Sequence, residues 1–408
     1  MTSIQTEAGG AVRTAIAPPA APPAAPSAAP FPAGRDTTRI LRDGTLSVAI
    51  EALTPAVQTA LEGEGVADAA LVPVVTVGTG AERLLLRVDG RPVAQAAFAV
   101  DAEGNPVVNA RRLGQGPFPR DPAVAAVLLE HLFIHHLEAT RLWLEPGALA
   151  ALGVAEDGAG LVHGRSAHAA KGGKAFDVCL RAGLLQWAPL WHRPTPAAAF
   201  PRIPVPCVHG GTNPLRPPAP TGVVYERYDP QSDLTISFRK LDRKRDLDLF
   251  HDWMNQQRVA FFWELAKPRD ELDAYLAALD ADPHTYPLIG RFNGEDAGYY
   301  ETYWGKEDRL GPHYDADDYD RGWHGAVGNK AHLGRRKTVA CFKAINHYLF
   351  LDEPRTRKIV GEPRAEHVKM LAHAEPSGFV KIKEFDFPHK RAALVHCYRD
   401  HFFGTILK

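Results

Sequence analysis

The chain has 408 residues, of which 45% are hydrophobic and 23% charged, as in a globular protein with a sizeable core. This length exceeds that of one ordinary domain, so two domains are expected. The formal net charge of -1 excludes a global field that would attract nucleic acid or an anionic membrane, and any anion site must be local.

The cysteines lie far apart, with no CxxC and no metal-ligand spacing, so we expect reduced core thiols and no metal site. The first residues contain no apolar core of signal-peptide length, and no stretch approaches the roughly 18 apolar residues of a membrane span. The sequence therefore predicts a soluble, cytoplasmic protein that binds neither membrane nor nucleic acid. The cysteines are Cys179, Cys207, Cys341 and Cys397.

Composition along the chain predicts four segments. Residues 1–37, rich in Ala and Pro, are expected to be a disordered tail. Residues 38–195 are expected to form an N-terminal α/β domain. A second Pro-rich stretch, 196–222, is predicted to be a surface linker, and residues 223–408 are predicted to form a second, catalytic domain.

The first domain shows a hairpin followed by a helix. Residues 83–100 contain two strand patterns around an Asp-Gly turn, which is a strong hairpin signal. Residues 121–145 are predicted to be a helix, because Asp121 suits the N-cap, Pro122 suits the first turn, and apolar residues recur at helical spacing. These elements indicate a small α/β module.

The second domain alternates helices and strands. Their order predicts an α+β layered domain with a mixed sheet flanked by helices. In chain order the predicted elements are a helix at 242–264, a strand pair at 286–305 around Asn293-Gly294, a strand in "WHGAVG", a helix after the Gly-Arg-Arg-Lys turn, a strand at 357–363, a helix at 365–374 and a final strand pair at 378–399.

The stretch "RGWHGAVGNKAHLGRRKT" (321–338) joins a strand to a helix through a glycine-containing turn. The first turn of a helix has unpaired N–H groups and a positive dipole end, which together attract phosphate oxygens. Gly334 lets the backbone approach a ligand, and Arg335, Arg336 and Lys337 add cationic donors. The pattern predicts a pyrophosphate site, and a solvated basic helix start is the alternative.

His324 lies on the strand before that turn. Strand alternation places His324, Ala326 and Gly328 on one face, with Gly325 and Val327 on the other. Small neighbours leave space around the imidazole ring, which a ligand could occupy. A hydrogen-bonded structural histidine is the alternative interpretation.

Five motifs in this second domain resemble one enzyme family. They are "FFWE", "GYYETYWGKEDRLGPHYDADDYDRGWHGAVG", "HLGRRKT", "IVGEPRAEHVKM" and "EFDFPHKRAALVHC". In this order they resemble the acyltransferases of hydroxamate siderophore biosynthesis, and the resemblance covers most of residues 236–403. Such enzymes acylate N-hydroxylysine in aerobactin-type pathways and N-hydroxylated diamines in alcaligin- and desferrioxamine-type pathways.

The resemblance implies the GNAT fold, in which a mixed sheet opens into a V and holds acyl-coenzyme A between its central strands. The first domain would then be a family-typical extension, compatible with a degenerate copy of the same fold. The typical loop pattern is [QR]xxGx[GA]; Gly334 matches its central glycine, whereas Ala331 and Arg336 depart from the outer positions. The coenzyme-binding residues implied are Ala326, Val327, Gly328, Leu333, Gly334, Arg335, Arg336, Lys337 and Thr338.

The resemblance also favours His324 as general base for attack of a hydroxylamine nitrogen on the thioester, with the N–H groups of Ala326 and Val327 as oxyanion donors. Glu366 or Asp386 is expected to orient His324 or contact the amine. The hydroxylamine pocket is expected to contain an aromatic wall and one carboxylate able to hold a distant ammonium group. Its predicted residues are Trp263, Glu264 and Tyr300.

The expected reaction is acylation of an N-hydroxylated amine to a hydroxamate. Succinyl-coenzyme A with N-hydroxyputrescine or N-hydroxycadaverine is favoured, because Arg335, Arg336, Lys390 and Arg391 offer cations for a second carboxylate; acetyl-coenzyme A with N-hydroxylysine comes next. A non-catalytic coenzyme A-binding scaffold and an ordinary amine N-acetyltransferase are the alternatives. A functional link to an amine monooxygenase and a siderophore synthetase is also expected.

Overall fold

The structure is a computed structural model that describes residues 37–41, 46–63, 82–101, 104–114, 121–155, 158–167, 175–192 and 200–408. Two eight-stranded sheets dominate these residues, one formed before residue 181 and the other after residue 222. A two-stranded ribbon lies between them in sequence. Residues 1–36 of the predicted tail lie outside the described residues, and Thr37 begins the first strand.

The first sheet has the strand order β1-β2-β3-β4-β5-β6-β8-β7. Its strands are β1 (Thr37–Leu41), β2 (Leu46–Ala52), β3 (Glu82–Val88), β4 (Arg91–Val100), β5 (Pro106–Arg112), β6 (Arg141–Leu144), β7 (Gly164–Ala167) and β8 (Ala175–Leu180). The helices of this half are α1 (Pro55–Gly63), α2 (Pro122–His135), α3 (Ala148–Ala151) and α4 (Arg181–Leu184).

The helix predicted over 121–145 is correct only in its first part. The Asp121 side chain accepts the Ala123 N–H at 3.0 Å, and Pro122 occupies the first turn, so the predicted start is confirmed. The helix ends at His135, and residues 141–144 form β6 instead. The prediction failed there because β6 is buried on both faces, so its apolar run lacks the alternation that marks a strand.

The predicted linker packs against the second half of the protein. It contains the ribbon strands β9 (Pro204–Pro206) and β10 (Thr212–Pro214). Beyond the ribbon, the buried Arg216 side chain donates from Nε to Glu307 Oε1 at 2.9 Å and stacks over the Trp304 ring at 4.0 Å. This part of the segment is therefore anchored rather than a free connector, and the domain limits stay a prediction.

The second sheet has the order β11-β12-β13-β14-β15-β16-β18-β17. Its strands are β11 (Val223–Asp229), β12 (Leu234–Lys240), β13 (Thr285–Phe292), β14 (Glu295–Trp304), β15 (Arg321–Val327), β16 (Lys358–Gly361), β17 (Phe379–Phe387) and β18 (Lys390–Tyr398). Its helices are α5 (Arg243–Met254), α6 (Gln257–Trp263), α7 (Arg269–Ala281), α8 (Arg335–Asp352), α9 (Val368–Ala374) and α10 (Arg399–His401). The α+β architecture with a mixed sheet is confirmed.

The two sheets share one topology. Each has a single parallel pair, β5 with β6 and β15 with β16, between otherwise antiparallel neighbours. Counted from these pairs, Ala110 occupies the position of His324, and Ala96 faces Ala110 as Glu301 faces His324. The first half therefore repeats the topology of the second, as a degenerate copy would, but has no ionisable side chains at these two positions.

The second sheet opens between its two central strands. β15 pairs with β14 along its whole length, from Arg321 to Val327. It pairs with β16 only through Arg321↔Ile359 and Gly322↔Val360, and beyond that point the two strands separate. The separation leaves a cleft lined by residues of both strands, and the candidate site lies in this cleft.

Both halves contribute to one contiguous apolar core. All four cysteines are buried free thiols, as predicted. Polar contacts also join the halves: His347 Nε2 lies 2.6 Å from the Leu185 carbonyl oxygen, and His192 Nε2 lies 3.0 Å from Asp352 Oδ1. Across the described ranges, no helix combines the length and apolarity needed to cross a bilayer.

Candidate active site

A cavity of about 820 Å³ occupies the cleft between β15 and β16. Its walls come from α6, β14, β15, the start of α8 and the segment after β16. Aromatic rings line it beside several charged side chains, which is typical of a site for a small polar ligand. His324 lies on this wall with 29% of its side chain exposed.

His324 stands between two carboxylates. Its Nε2 lies 3.1 Å from Glu362 Oε1, and its Nδ1 lies 3.7 Å from Glu301 Oε2. Glu301 is the cross-strand neighbour of His324 on β14, and Glu362 directly follows β16. The opening of the sheet therefore brings carboxylates from two strands onto one imidazole.

Two tyrosines hold Glu301 in place. The hydroxyls of Tyr275 and Tyr299 donate to Glu301 Oε1 at 2.5 and 2.7 Å. Burial and the charge of Glu301 raise the pKa of both tyrosines, so both remain donors at neutral pH. Glu301 Oε2 is left to face the imidazole.

Glu362 is surrounded by cations. Its Oε1 accepts from Arg309 at 3.2 Å and from Lys390 at 3.4 Å, and the Tyr303 hydroxyl donates to Oε2 at 3.2 Å. Although burial opposes ionisation, the charges of His324, Lys390 and Arg309 hold the pKa of Glu362 well below its usual range. Glu362 is thus a permanent carboxylate at a side-chain exposure of 1%.

The two carboxylates keep His324 charged. Burial disfavours the imidazolium, but the charge of Glu362 and hydrogen bonds to Glu301 and Glu362 outweigh this and raise the pKa of His324 to about 10. At neutral pH the residue is an imidazolium. A general base must be unprotonated when it acts, so His324 has to give up a proton before it can take one.

The shift predicts a specific pH dependence of stability. Because the folded-state pKa of about 10 exceeds the unfolded value near 6.5, the stabilisation is complete below pH ~6.5 and lost as pH rises toward 10. Urea unfolding of the wild type and a His324→Asn variant should therefore give a difference that is constant at low pH and shrinks above pH ~7. A nitrogen-15 NMR titration of His324 with a midpoint near 6.5 would contradict this expectation.

The structure contradicts the expectation that Glu366 or Asp386 orients His324. Glu366 is exposed, and the Asp386 carboxylate, 71% exposed, pairs with Arg391 on β18. Glu362 and Glu301 hold the imidazole instead. Both lie in the motifs that carry the family resemblance, but the spacing alone does not choose Glu362 over Glu366.

The predicted pocket residues have different surroundings. Trp263 and Glu264 line the cavity, and the Trp263 ring lies 6.4 Å from the His324 ring. Tyr300 also borders the cavity, but its hydroxyl lies 2.9 Å from the Cys341 sulfur. Its polar end therefore points into the core, and only its ring can contribute to the wall.

The predicted coenzyme residues surround the junction of β15 and α8. Four of them line the cavity: Ala326, Val327, Leu333 and Thr338. Gly334 caps α8 at φ 141°, and a side chain added there would meet nothing within 4 Å, so the helix start is open to approach. Of the three cations, Arg336 donates to the Gln231 carbonyl and Lys337 to the Ala331 carbonyl at 3.3 Å, and Arg335 is exposed.

Gly328 has a packing role rather than an open face. A Cβ on this residue would lie 2.0 Å from the Trp253 ring of α5. We expect Gly328→Ala to lower the free energy of unfolding by about 1–3 kcal/mol, because the ring or the strand must move. Thermal unfolding measures this loss, with Gly164→Ala on β7 as a control, because a Cβ there meets no atom within 4 Å. Equal losses would contradict the packing argument.

The sequence analysis missed Arg258 on α6. Its guanidinium donates to the carbonyl oxygens of Val327 and Gly328, each at 2.6 Å. These bonds fix the end of β15 where it leaves the sheet. The oxyanion role of the Ala326 and Val327 N–H groups stays a prediction.

Part of this chain is similar to known proteins. Residues 242–387 match the family described as acetyltransferase (GNAT) domain. The chain is 43% identical over 193 residues to N(6)-hydroxylysine O-acetyltransferase of Escherichia coli, covering 47% of this chain and 61% of that protein. It is 41% identical over 198 residues to hydroxyornithine transacylase SID3 of Ajellomyces capsulatus, covering 48% and 45%.

A third relative is also a hydroxyornithine transacylase by name. The chain is 40% identical over 195 residues to the N(5)-hydroxyornithine:cis-anhydromevalonyl coenzyme A-N(5)-transacylase SIDF of Beauveria bassiana, covering 47% of this chain and 43% of that protein. The chain thus spans about half the length of the curated relatives it matches. Over the matched part, the resemblance to acyltransferases of hydroxamate siderophore biosynthesis is confirmed.

Proposed function

We propose that this protein transfers an acyl group from coenzyme A to the nitrogen of an N-hydroxylated amine. The premise is that residues 242–387 match the GNAT acetyltransferase family. The product would be a hydroxamate for siderophore assembly. The observation that carries the proposal is the Glu301–His324–Glu362 group on the wall of the cleft between the parted strands.

The Glu301–His324–Glu362 group can carry out the two proton transfers of this reaction, one to sulfur and one from nitrogen. A hydroxylamine is mostly unprotonated at neutral pH, so its nitrogen can attack the thioester carbonyl directly. As the C–S bond breaks, the His324 imidazolium gives its proton to the departing sulfur. The neutral imidazole then takes the proton that the new C–N bond leaves on nitrogen, and the charged group is restored. His324 thus serves first as acid and then as base, and the carboxylates keep it ready for the first step.

The donor site is proposed at the junction of β15 and α8. The proposal is supported by the start of α8, where Gly334 is the N-cap and no side chain caps the N–H groups of the first turn. Three basic residues follow Gly334. Pyrophosphate oxygens suit such a helix end. The cavity wall formed by Ala326 and Val327 would then face the thioester.

Fewer cations are available for a succinyl carboxylate than the sequence suggested. Arg391 pairs with Glu384 and Asp386 on β18, and Arg336 is engaged with the Gln231 carbonyl. Of the four cations proposed for a succinyl carboxylate, Lys390 lines the cavity. Succinyl-coenzyme A with an N-hydroxydiamine and acetyl-coenzyme A with N-hydroxylysine both remain to be tested. An amine monooxygenase supplying the acceptor and a synthetase using the product are the partners we propose.

A turnover assay tests the function. The purified protein is incubated with acetyl- or succinyl-coenzyme A and with N6-hydroxylysine or N-hydroxycadaverine, and free thiol and hydroxamate are measured. We expect hydroxamate formation with at least one pair and much slower reaction with lysine or cadaverine. Comparable rates with the plain amines would indicate an ordinary N-acetyltransferase. Coenzyme A binding without turnover of any acceptor would indicate a non-catalytic scaffold.

A further inference from the structure

A cluster of cations lies beside the reaction centre, and the mechanism above does not use it. Arg309 and Lys390 both contact Glu362 Oε1, the same oxygen that faces His324. Arg364 follows two residues after Glu362 and lines the same cavity. The buried Glu362 Oε1 therefore contacts three cations, the His324 imidazolium, Arg309 and Lys390. Arg364 is a fourth cation in the same cavity.

Arg364 is held by an exchangeable partner. Its guanidinium donates to Glu264 Oε1 at 2.7 Å, but the Glu264 side chain is 64% exposed. Glu264 is the C-cap of α6, with φ 56° in the left-handed region, and its carboxylate contacts Arg364 in the segment after β16. Exposed pairs of this kind contribute little net stability, and an incoming carboxylate could replace Glu264.

The electrostatics favour an added anion. Burial lowers the pKa of Lys390, and the repulsion of Arg309 and Arg364 adds to this effect despite the attraction of Glu362. Asp308 also lines the cavity, and its Oδ1 already accepts the Leu310 N–H at 2.8 Å. A ligand carboxylate near Arg364 would offset the mutual repulsion of the cations.

The spacing suits a short aliphatic chain. The segment from Glu362 to Arg364 is extended, because the Pro363 carbonyl and the Ala365 N–H both bond to β18. In an extended chain, the Cα atom of Arg364 lies roughly 7 Å from the Cα atom of Glu362. Five extended single bonds, as between the hydroxylamine nitrogen and Cα of N6-hydroxylysine, span about 6 Å.

We propose that Arg364, with Lys390 and Arg309, binds an aliphatic carboxylate of a substrate, and that Glu264 occupies this position when no substrate is present. The inference rests on the proposed function and adds a specificity site to it. The carboxylate could be the α-carboxylate of an amino-acid acceptor or the terminal carboxylate of a succinyl donor. Matched substrates distinguish the two sources.

The test compares KM values for Arg364→Gln and wild type with four substrate pairs. N6-hydroxylysine and N-hydroxycadaverine differ only by the carboxylate, and succinyl- and acetyl-coenzyme A differ by a carboxylate-bearing extension. We expect Arg364→Gln to raise KM for the carboxylate-bearing substrate about 10–100-fold and to leave its matched partner nearly unchanged. An effect confined to N6-hydroxylysine assigns the acceptor, and one confined to succinyl-coenzyme A assigns the donor.

Two further variants separate binding from structure. Arg269→Gln removes an arginine that also pairs with one exposed carboxylate, Asp248, but lies outside the cavity, and it should change no KM. Glu264→Gln removes the competing carboxylate and should lower KM for the carboxylate-bearing substrate about two- to five-fold, an effect that a merely structural role would not produce. Equal effects of Arg364→Gln on all four pairs would overturn the proposal.

Failure of the proposed function has a different signature. If the wild type turns over none of the four pairs, calorimetric titration with the same acceptors and donors tests the site directly. Tighter binding of one carboxylate-bearing member by wild type, lost in Arg364→Gln, would support the site without the reaction. Absence of any such preference in the wild type would overturn it.

Discussion

Replacing Glu362 by glutamine is expected to reduce turnover by about 10²–10⁴-fold and the free energy of unfolding by about 3 kcal/mol. The Glu362 side chain is 1% exposed, and its Oε1 contacts His324, Arg309 and Lys390. A neutral amide would leave the partly buried His324 and Lys390, and the more exposed Arg309, without their shared counter-ion. Its loss should also lower the pKa of His324. Turnover and urea unfolding measure the two effects.

Glu366→Gln is the informative comparison for this prediction. Glu366 lies four residues further along the same motif, is exposed, and is one of the two carboxylates that the sequence analysis proposed. The structure predicts little change in turnover or stability for this variant. If Glu366→Gln lost as much turnover as Glu362→Gln, the assignment of Glu362 would be wrong.

His324→Ala is expected to lower turnover by about 10²–10⁴-fold while leaving the affinity for coenzyme A nearly unchanged. The imidazole is the only group of the site that the proposed cycle uses both to protonate sulfur and to accept a proton from nitrogen. The proposed coenzyme site lies at the start of α8, so removal of the ring should not disturb it. Turnover and calorimetric binding of coenzyme A measure the two quantities.

The outcome of the His324 test separates three explanations. Loss of turnover with coenzyme A affinity preserved supports the proton-transfer role. Loss of both would indicate that the variant disturbs the cleft, which thermal unfolding would detect. Unchanged turnover would remove His324 from the mechanism. His401→Ala, on α10 and exposed, is a control that removes an imidazole outside the cavity.

Elements whose signals are local were predicted well. The Asp89-Gly90 and Asn293-Gly294 pairs both adopt positive φ, as the predicted hairpin turns require. The strand-to-helix junction at Gly334 was also predicted from a short stretch. Predictions failed where burial erased the local pattern, as in β6, whose apolar run was taken for the end of a helix.

The candidate site shows the same division. The sequence by itself determined that His324 and Ala326 lie on the same face of a strand. It also determined that a basic helix start follows, because both features depend on neighbouring residues. Only the tertiary structure decided that Glu301 and Glu362 hold the imidazole, because strand pairing brings them together from distant parts of the chain. It also decided the charge of His324, since a pKa depends on the groups that folding places around it.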